Sequence, residues 1–530
     1  MTAPNTTLLS VIAHARSGAV EQAWHLFREA GFEAARHDPA ALSVLGRLLK
    51  DRAASAKGAE RRQSYRKAAA AYARAGTISG ATYPLINAAT LSLLAGERNR
   101  ARTLARQVLE RSARDDGEAE TPYWREATRA EAHLLLGDVA QARKDLAAAI
   151  ALAPSAYEDH AATLRQFALV LDELGQDKTW LDACRPPRTL HFAGHMALAP
   201  RSAAVERDIR IFLERERVGF GYGALAAGAD ILIAEALLEA EAELHLVLPS
   251  SKEHFREASV ASAGRGWGRR FDKILKDAAT VRFITQDCDP LSPLAIRLAA
   301  EISMGAAAMQ AGLLTTEAIQ LLILEAKNRQ SGGAGVSNLM ASTWRASGRR
   351  QHIVVAPRLH ALRSPPQRKT NKHLAAMLRI KLPPAAWHTP SVLARLSRLL
   401  ASKPQPLQSA RWNGDDVSVA FDTVQQAAGA ALSAMALLGG MDGARVAGHY
   451  ALAETLADPF GGAPLLIGTE TKLAADVLRS TPPGGIHVSE DFAAALCSGA
   501  ARDRPRTELV GELPSDNVES PIRLYSLRPA

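Results

Sequence analysis

Two patterns of apolar residues divide the chain. Up to about residue 182 they fall in helical segments with no convincing strand run; beyond it, short apolar runs end in glycine or proline, as buried strands do. TLHFAGHMALAP at 189–200 predicts a strand that ends in a glycine turn. GFGYGALAAGADILIAEALLEA at 219–240 predicts a second glycine turn, with Gly219, Gly221, Gly223 and Gly228, opening an apolar helix. AELHLVLPSS at 242–251 adds a strand stopped by Pro249. Strand, glycine turn, helix, strand is the plan of an open parallel sheet, whose ligands sit at strand ends beside helix N-termini. ATVRFITQD at 279–287, IQLLILEA at 319–326 and QHIVVAP at 351–357 supply further strands. The stretch 290–317 reads as an apolar helix in which Met304 and Met309 fill the core.

In the helical part, ARSGAVEQAWHLF, LLAGERNRARTLA and LLLGDVAQARKDL share a frame: Gly18, Gly96 and Gly137 are each followed five residues later by Ala23, Ala101 and Ala142. LDELGQD offers the same turn at Gly175. The glycine closes one helix and the small alanine lets the next cross close behind it. Gly96 and Gly137 are 41 residues apart, near the period of stacked helix pairs. These units resemble tetratricopeptide repeats. YPLINAATLSLLAGE at 83–97 and YWREATRAEAHLLLGD at 123–138 resemble, more narrowly, the helical TRAF-binding region of apoptosis signal-regulating kinases. The resemblance implies a repeat solenoid over residues 1–182 that docks a protein partner. The plainer alternative is a helical cover packed on the sheet domain.

Pro186 and Pro187 open the sheet domain, expected over 186–357. Its candidate ligand residues are Gly194, His195, Gly221, Gly223, Gly228, Asp230 and Glu235, with tight packing at βα corners as the competing explanation of the glycines. His195 could reach a phosphate or cap a backbone carbonyl. FAGHM, GALAAGADILIAEA, LPSSKEHFREASV and RGWGRRF, in this order, resemble the SLOG group of Rossmann-like domains. That resemblance implies a nucleotide-derived small-molecule ligand. Hydrolase relatives carry a glycine-threonine phosphate loop followed by a glutamate. The matching place here, SGGAGVSNLM at 331–340, keeps Gly332 and Gly333 without the glycine-threonine pair or the glutamate. Binding rather than cleavage is what the resemblance then implies.

ALRSPPQRKTNKH reads as a linker, placed at 358–371. Beyond it, residues 372–530 resemble the class III nucleotide cyclase fold. HLAAMLRIKLPP stands at its first strand, RWNGDDVSVAF at its metal-binding hairpin and QQAAGAALSAMALL at the helix after it. GARVAGHYALAETLADPFGG stands at its next strand pair, and APLLIGTETKLAADVLRSTPPGGIHVSEDFAAAL at the strand, helix and PPG turn that follow. Family chemistry uses two metal ions between two aspartates. Asp415, or Asp416 beside it, matches the hairpin aspartate as a metal-ligand remnant, but Lys381 stands at the first-strand place. No alignment slip supplies a carboxylate, because 326–414 contains no Asp or Glu. An ammonium there repels Mg²⁺ and could pair with Asp415. Lys472 and Asp476 stand where the family has its Asn and Arg. The resemblance therefore implies a domain without cyclase activity.

The whole is expected to be an all-α helical repeat solenoid, an α/β Rossmann-like parallel sheet and an α+β cyclase-like (ferredoxin-like) domain. Composition changes this picture only slightly. The 530 residues, 47% of them hydrophobic, suit several globular domains. No apolar run reaches the roughly 18 residues of a membrane span, and MTAPNTTLLS has no basic n-region of an export signal. Cys184, Cys288 and Cys497 form no CxxC and fit a reduced, cytoplasmic compartment. The net charge of +9 conceals a block: 326–414 holds 16 Lys and Arg, so the remainder carries −7. Such a block binds nucleic acid or acidic partners, or neutralises its own chain. Only 14 of the 64 basic residues are lysine, a bias that reads as compositional and disfavours nucleic acid.

The sequence thus predicts a cytoplasmic, bacterial signalling scaffold with a protein partner, a nucleotide-like ligand, no definite cofactor and a homo-oligomer through its tail. Two enzymatic readings compete: a nucleotide N-glycosidase using Asp230 or Glu235, and a cyclase with unconventional ligands. A third reading is an anion- or nucleic-acid-binding adaptor using Arg349, Arg350, Arg368, Lys369 and Lys372.

Overall fold

The computed structural model describes residues 7–16, 20–114, 121–196, 198, 202–264, 266–285, 292–325, 336–358, 371–401, 407–439, 441, 443–458, 465–500, 504–514 and 521–530. The chain divides into two compact units, Met1–Pro186 with Leu313–Thr315, and Pro187–Gly312 with Thr316–Ala530.

The first unit is helical. Among its described residues nine α-helices run from Leu8–Arg16 to Tyr157–Leu174, followed by a 3₁₀ turn at Thr179–Cys184. The expected glycine punctuation is present. Gly96, Gly137 and Gly175 take φ of 84°, 89° and 67°, the left-handed conformation that ends a helix. Behind each, an amide donates back across the turn: Glu97 to Ser92, Asp138 to His133, and Gln176 to Leu171. Ala23, Ala101 and Ala142 are buried where consecutive helices meet. Gly18 lies outside the described residues.

The second unit contains two sheets. Strands β1 (Arg188–Gly194), β2 (Val218–Gly223), β3 (Glu243–Leu248), β4 (Thr280–Phe283), β5 (Ala318–Leu324) and β6 (Gln351–Val355) form a parallel sheet in the order β4-β3-β2-β1-β5-β6. The chain winds outward from β1 to β4, then returns to add β5 on the other side of β1. The strand ends of β1 and β5 therefore form the topological switch point, where open α/β sheets leave a crevice. One expectation is corrected here. Residues 219–223 are not a turn but strand β2, so Gly219, Gly221 and Gly223 sit within or at the end of the sheet. The turn proper is 224–228.

The second sheet is mixed: β7 (Lys372–Lys381), β8 (Gln408–Asn413), β9 (Asp416–Phe421), β10 (Arg445–Leu456), β11 (Leu465–Ile467), β12 (Ile486–Ser489), β13 (Arg506–Leu513) and β14 (Ile522–Arg528). Its order is β13-β14-β12-β10-β7-β9-β8, with β11 folding back on β10. The expected strand pair in 443–462 is, over its described residues, the single twelve-residue strand β10.

The two sheets share a core. Val247 and the helix Pro293–Leu313, through Leu298, Ala299 and Ile302, pack into the same cluster as Leu378, Tyr450, Val488, Phe492 and Leu527. Gly305 of that helix lies so close to the helix Glu490–Ser498 that a Cβ would overlap the Ala494 carbonyl oxygen. Polar contacts line the same seam. Arg282 on β4 donates to Glu490 at 3.2 Å and Asp491 at 2.6 Å, and Tyr450 Oη donates to Glu301 at 2.9 Å. Met304 is buried in the interior, and Met309 packs against its edge.

Part of the basic block is used up internally. Arg349 donates to the carbonyls of Cys497 at 2.8 Å and Ser498 at 3.4 Å, and so caps the C-terminus of Glu490–Ser498. Arg350 is bound to Glu317 at 2.7 Å and Glu216 at 2.5 Å. Arg368 and Lys369 lie outside the described residues.

Candidate functional site

The glycines at the switch point are occupied by the protein itself. A side chain on Gly194, opposite Ile323 across the β1–β5 ladder, would overlap Ala229 at the start of the helix Ala229–Glu239. Gly221 makes room for Leu237 of that helix, and Gly223 for the Phe192 ring and its carbonyl. Gly228 has φ 90° and ψ −120°, a conformation open almost only to glycine, and presses on the carbonyls of His195 and Met196. Packing accounts for all four. Gly332 and Gly333 lie outside the described residues.

His195 and Asp230 are different, because packing leaves each with unmet hydrogen-bonding capacity. His195 follows β1, is 5% exposed, and its Nε2 lies 3.1 Å from the Ala356 carbonyl just past β6. Nδ1 is buried without a hydrogen-bond partner. Burial pushes the imidazole below its ordinary pKa of 6.5. Asp230, in the first turn of Ala229–Glu239, is 6% exposed. Its Oδ2 accepts from the Ala226 amide at 3.1 Å while Oδ1 is buried without a partner. Burial raises this carboxyl to about 7, against the opposing pull of the Ala226 and Gly194 amides. No cation is among the causes of that shift. At the adjoining strand ends Glu325 and Arg358 pair at 3.5 Å.

Glu235, the other expected carboxylate, is engaged elsewhere. Arg270 Nε donates to it at 2.7 Å, and the same guanidinium lies 4.6 Å from the Trp267 ring centroid. Glu235 thus ties Ala229–Glu239 to the helix Trp267–Asp277.

In the second sheet, cations stand against the acidic hairpin. Lys381 at the end of β7 is paired with Asp415, and Arg379 donates to Asp416 at 2.7 Å. The register places Lys381 directly opposite Asp416. Each carboxylate expected to hold metal is therefore bound to a basic side chain. Among the described residues no group of three or more His, Cys, Asp or Glu could hold a metal ion. Lys472 is exposed, and Asp476 is buried and joined to Arg479, both on the helix Thr469–Ser480.

One constellation has no counterpart in the sequence reading. His449 on β10 has Nδ1 2.8 Å from Ser489 Oγ and Nε2 2.8 Å from Glu470 Oε2. The order hydroxyl, imidazole, carboxylate is that of a nucleophile and its activating base. Ser489, however, is 1% exposed, and its hydroxyl accepts the Phe492 amide at 3.4 Å as the N-cap of Glu490–Ser498. Its hydroxyl is already engaged by both His449 and the Phe492 amide, and the set works as a buried strut. The only sequence signal was the serine preceding Glu490 and Asp491, a helix-start pattern.

Comparison with known proteins bears on parts of the chain. Residues 3–92 match the family model of the Tetratricopeptide Repeats-Sensor. No curated protein matches the sequence. Adenylate cyclases from Trypanosoma brucei in their monomeric state are 16% identical with a TM-score of 0.26, covering 31% of this chain and 90% of theirs. The adenylyl cyclase CyaB from P. aeruginosa is 14% identical at TM-score 0.24, covering 30% and 96%. The guanylate cyclase domain of RhGC from Catenaria anguillulae, in complex with GTP, is 10% identical at TM-score 0.24, covering 30% and 98%. Scores this low carry no inference about chemistry. The class that fold and family model define is a helical sensor-type repeat region followed by parallel-sheet and mixed-sheet α/β regions. No helix among the described residues is long and apolar enough to cross a membrane.

Proposed function

We propose that this chain is a signalling scaffold that senses a nucleotide-derived ligand in its parallel sheet, docks a protein partner on its helical repeats and carries a cyclase-like sheet without catalytic activity. The observation that carries the ligand reading is the pair His195 and Asp230: two nearly fully buried polar side chains at the switch point, each with an atom left unpaired. Buried polar atoms are paired in nearly all native sites, so two orphans beside the switch point of one parallel sheet, where such sheets hold their ligands, favour a small-molecule partner. The repeat match supports the docking role, since stacked helix pairs present extended surfaces to other proteins.

Catalytic inactivity is supported by the Lys381–Asp415 and Arg379–Asp416 pairs, because a carboxylate neutralised by an ion pair is a poor ligand for a divalent metal. An N-glycosidase would have to use Asp230, since Arg270 holds Glu235.

The test is a thermal-shift screen of the purified chain against ATP, GTP, NAD, ADP-ribose and cyclic mono- and dinucleotides, with and without Mg²⁺. A ligand at 100 times its dissociation constant adds about 2.7 kcal/mol. A shift in the wild type that vanishes in Asp230→Asn is the expected result. A screen in which no nucleotide moves the melting temperature sinks the ligand reading.

A further inference from the structure

Phosphate is the moiety that glycine turns and helix N-termini usually hold, yet the atoms at this switch point ask for something else. His195 Nε2 lies 3.1 Å from a backbone carbonyl, which can only accept. Nε2 therefore carries the ring proton, and in the neutral ring Nδ1 is a bare lone pair. Burial favours that neutral form. In the ionised form that predominates above about pH 7, Asp230 Oδ1 is likewise an acceptor, its partner oxygen already served by the Ala226 amide. Both unpaired atoms thus require donors.

The helix N-terminus beside them is already occupied. The Ala229 amide donates to the His195 carbonyl at 3.3 Å, and the Asp230 carboxyl stands in the first turn. Asp230 faces no cation that would offset a second negative charge. Arg358, at the neighbouring strand end, is paired with Glu325. Above about pH 7 a phosphate placed here would bring acceptors to acceptors and charge to charge.

We propose that the ligand enters the switch point with a neutral, donor-bearing end, its hydroxyl or amine groups donating to His195 Nδ1 and Asp230 Oδ1, while any phosphates face away. This rests on the nucleotide reading above and narrows it to the nucleoside end.

Titration calorimetry of the full chain at pH 8.5, where Asp230 is ionised, with ATP, with the four ribonucleosides and with inorganic pyrophosphate tests it, using wild type, Asp230→Asn and His195→Phe. Asn at 230 keeps the shape and can still accept the Ala226 amide, so it guards against a variant that fails to fold; melting without ligand checks both. The expected result is that ATP and at least one nucleoside bind the wild type, and pyrophosphate neither binds nor competes. Each variant should then weaken the nucleoside by tenfold or more. Pyrophosphate competing with ATP, or ATP binding without any nucleoside, overturns the donor-end assignment and leaves the nucleotide reading standing. Nucleoside affinity unchanged in both variants overturns it as well. Absence of binding by ATP and all nucleosides removes both, with ordered water as the partner of the two orphans.

Discussion

A carboxyl buried in the first turn of Ala229–Glu239 with no cation beside it keeps its proton more tightly in the folded chain than in the unfolded one. Asp230 moves from 3.8 to about 7. Below pH 3.8 both states are protonated and the group contributes nothing. Between 3.8 and 7 the folded state holds a proton that the unfolded state has released, so stability falls as pH rises. Above 7 the penalty is complete, on the order of 4 kcal/mol. Asp230→Asn should therefore melt higher than wild type at pH 8, and the gap should close towards pH 4. A gap independent of pH would show that the carboxyl is not strained. A residue that destabilises its own fold is what a binding site tolerates and a packing site does not. The acidic hairpin gives a second contrast. Lys381 and Asp415 are partly exposed, so Asp415→Asn should cost within about 1 kcal/mol. Arg379 and Asp416 are 14% and 11% exposed, so Asp416→Asn should cost more, about 3 kcal/mol, by removing the negative charge that faces a buried guanidinium. Urea denaturation of both variants checks this; equal costs would contradict it. The Lys381–Asp415 pair was legible from the absence of acid over 326–414, whereas Arg379 gave no local sign, because strand register rather than spacing brings it to Asp416.

Strand and helix placement was legible where apolar runs were bounded by glycine or proline. It failed at 219–223, where glycines inside a strand imitate a turn: their cause is groups from elsewhere in the fold lying against them, Pro187 at Gly219, Leu237 at Gly221 and Phe192 at Gly223, which local sequence does not encode. Gly305 is the same effect inside a helix. Within an alanine-rich segment it looks like any small residue, yet it sets the approach of Pro293–Leu313 to Glu490–Ser498. Gly305→Ala should destabilise by roughly 1–3 kcal/mol, since a backbone carbonyl must move. Gly312, in the same helix with nothing within 4 Å of its would-be Cβ, is the control. Gly312→Ala should be neutral or stabilise by about 0.5–1 kcal/mol. Melting temperatures decide it, and equal shifts in the two variants would remove the close contact as an explanation.

The linker composition of 358–371 suggests two independently folding sheets, and composition is all that a sequence offers there. The core says otherwise in physical terms. Leu298, Ala299 and Ile302, which precede the linker, are buried among Leu378, Tyr450 and Phe492, which follow it. Arg282 is held by Glu490 and Asp491 with its charge stabilised above the ordinary guanidinium value by those carboxylates, despite a burial that opposes it. A fragment of residues 371–530 would lose both: an apolar face would meet water at about 25 cal/mol per Å² exposed, and Glu490, raised by burial, would lose Arg282 and keep only Arg523 as a cation. We expect residues 187–530 to unfold in urea as one cooperative transition, with fluorescence and circular dichroism coincident. The fragment 371–530 should be soluble poorly or melt well below it. Two separated transitions in 187–530, the later one matching the isolated fragment, would mean that the seam contributes little. In that case a ligand at the switch point would have no packed route to the second sheet, because coupling between sites needs an element whose equilibrium both of them bias.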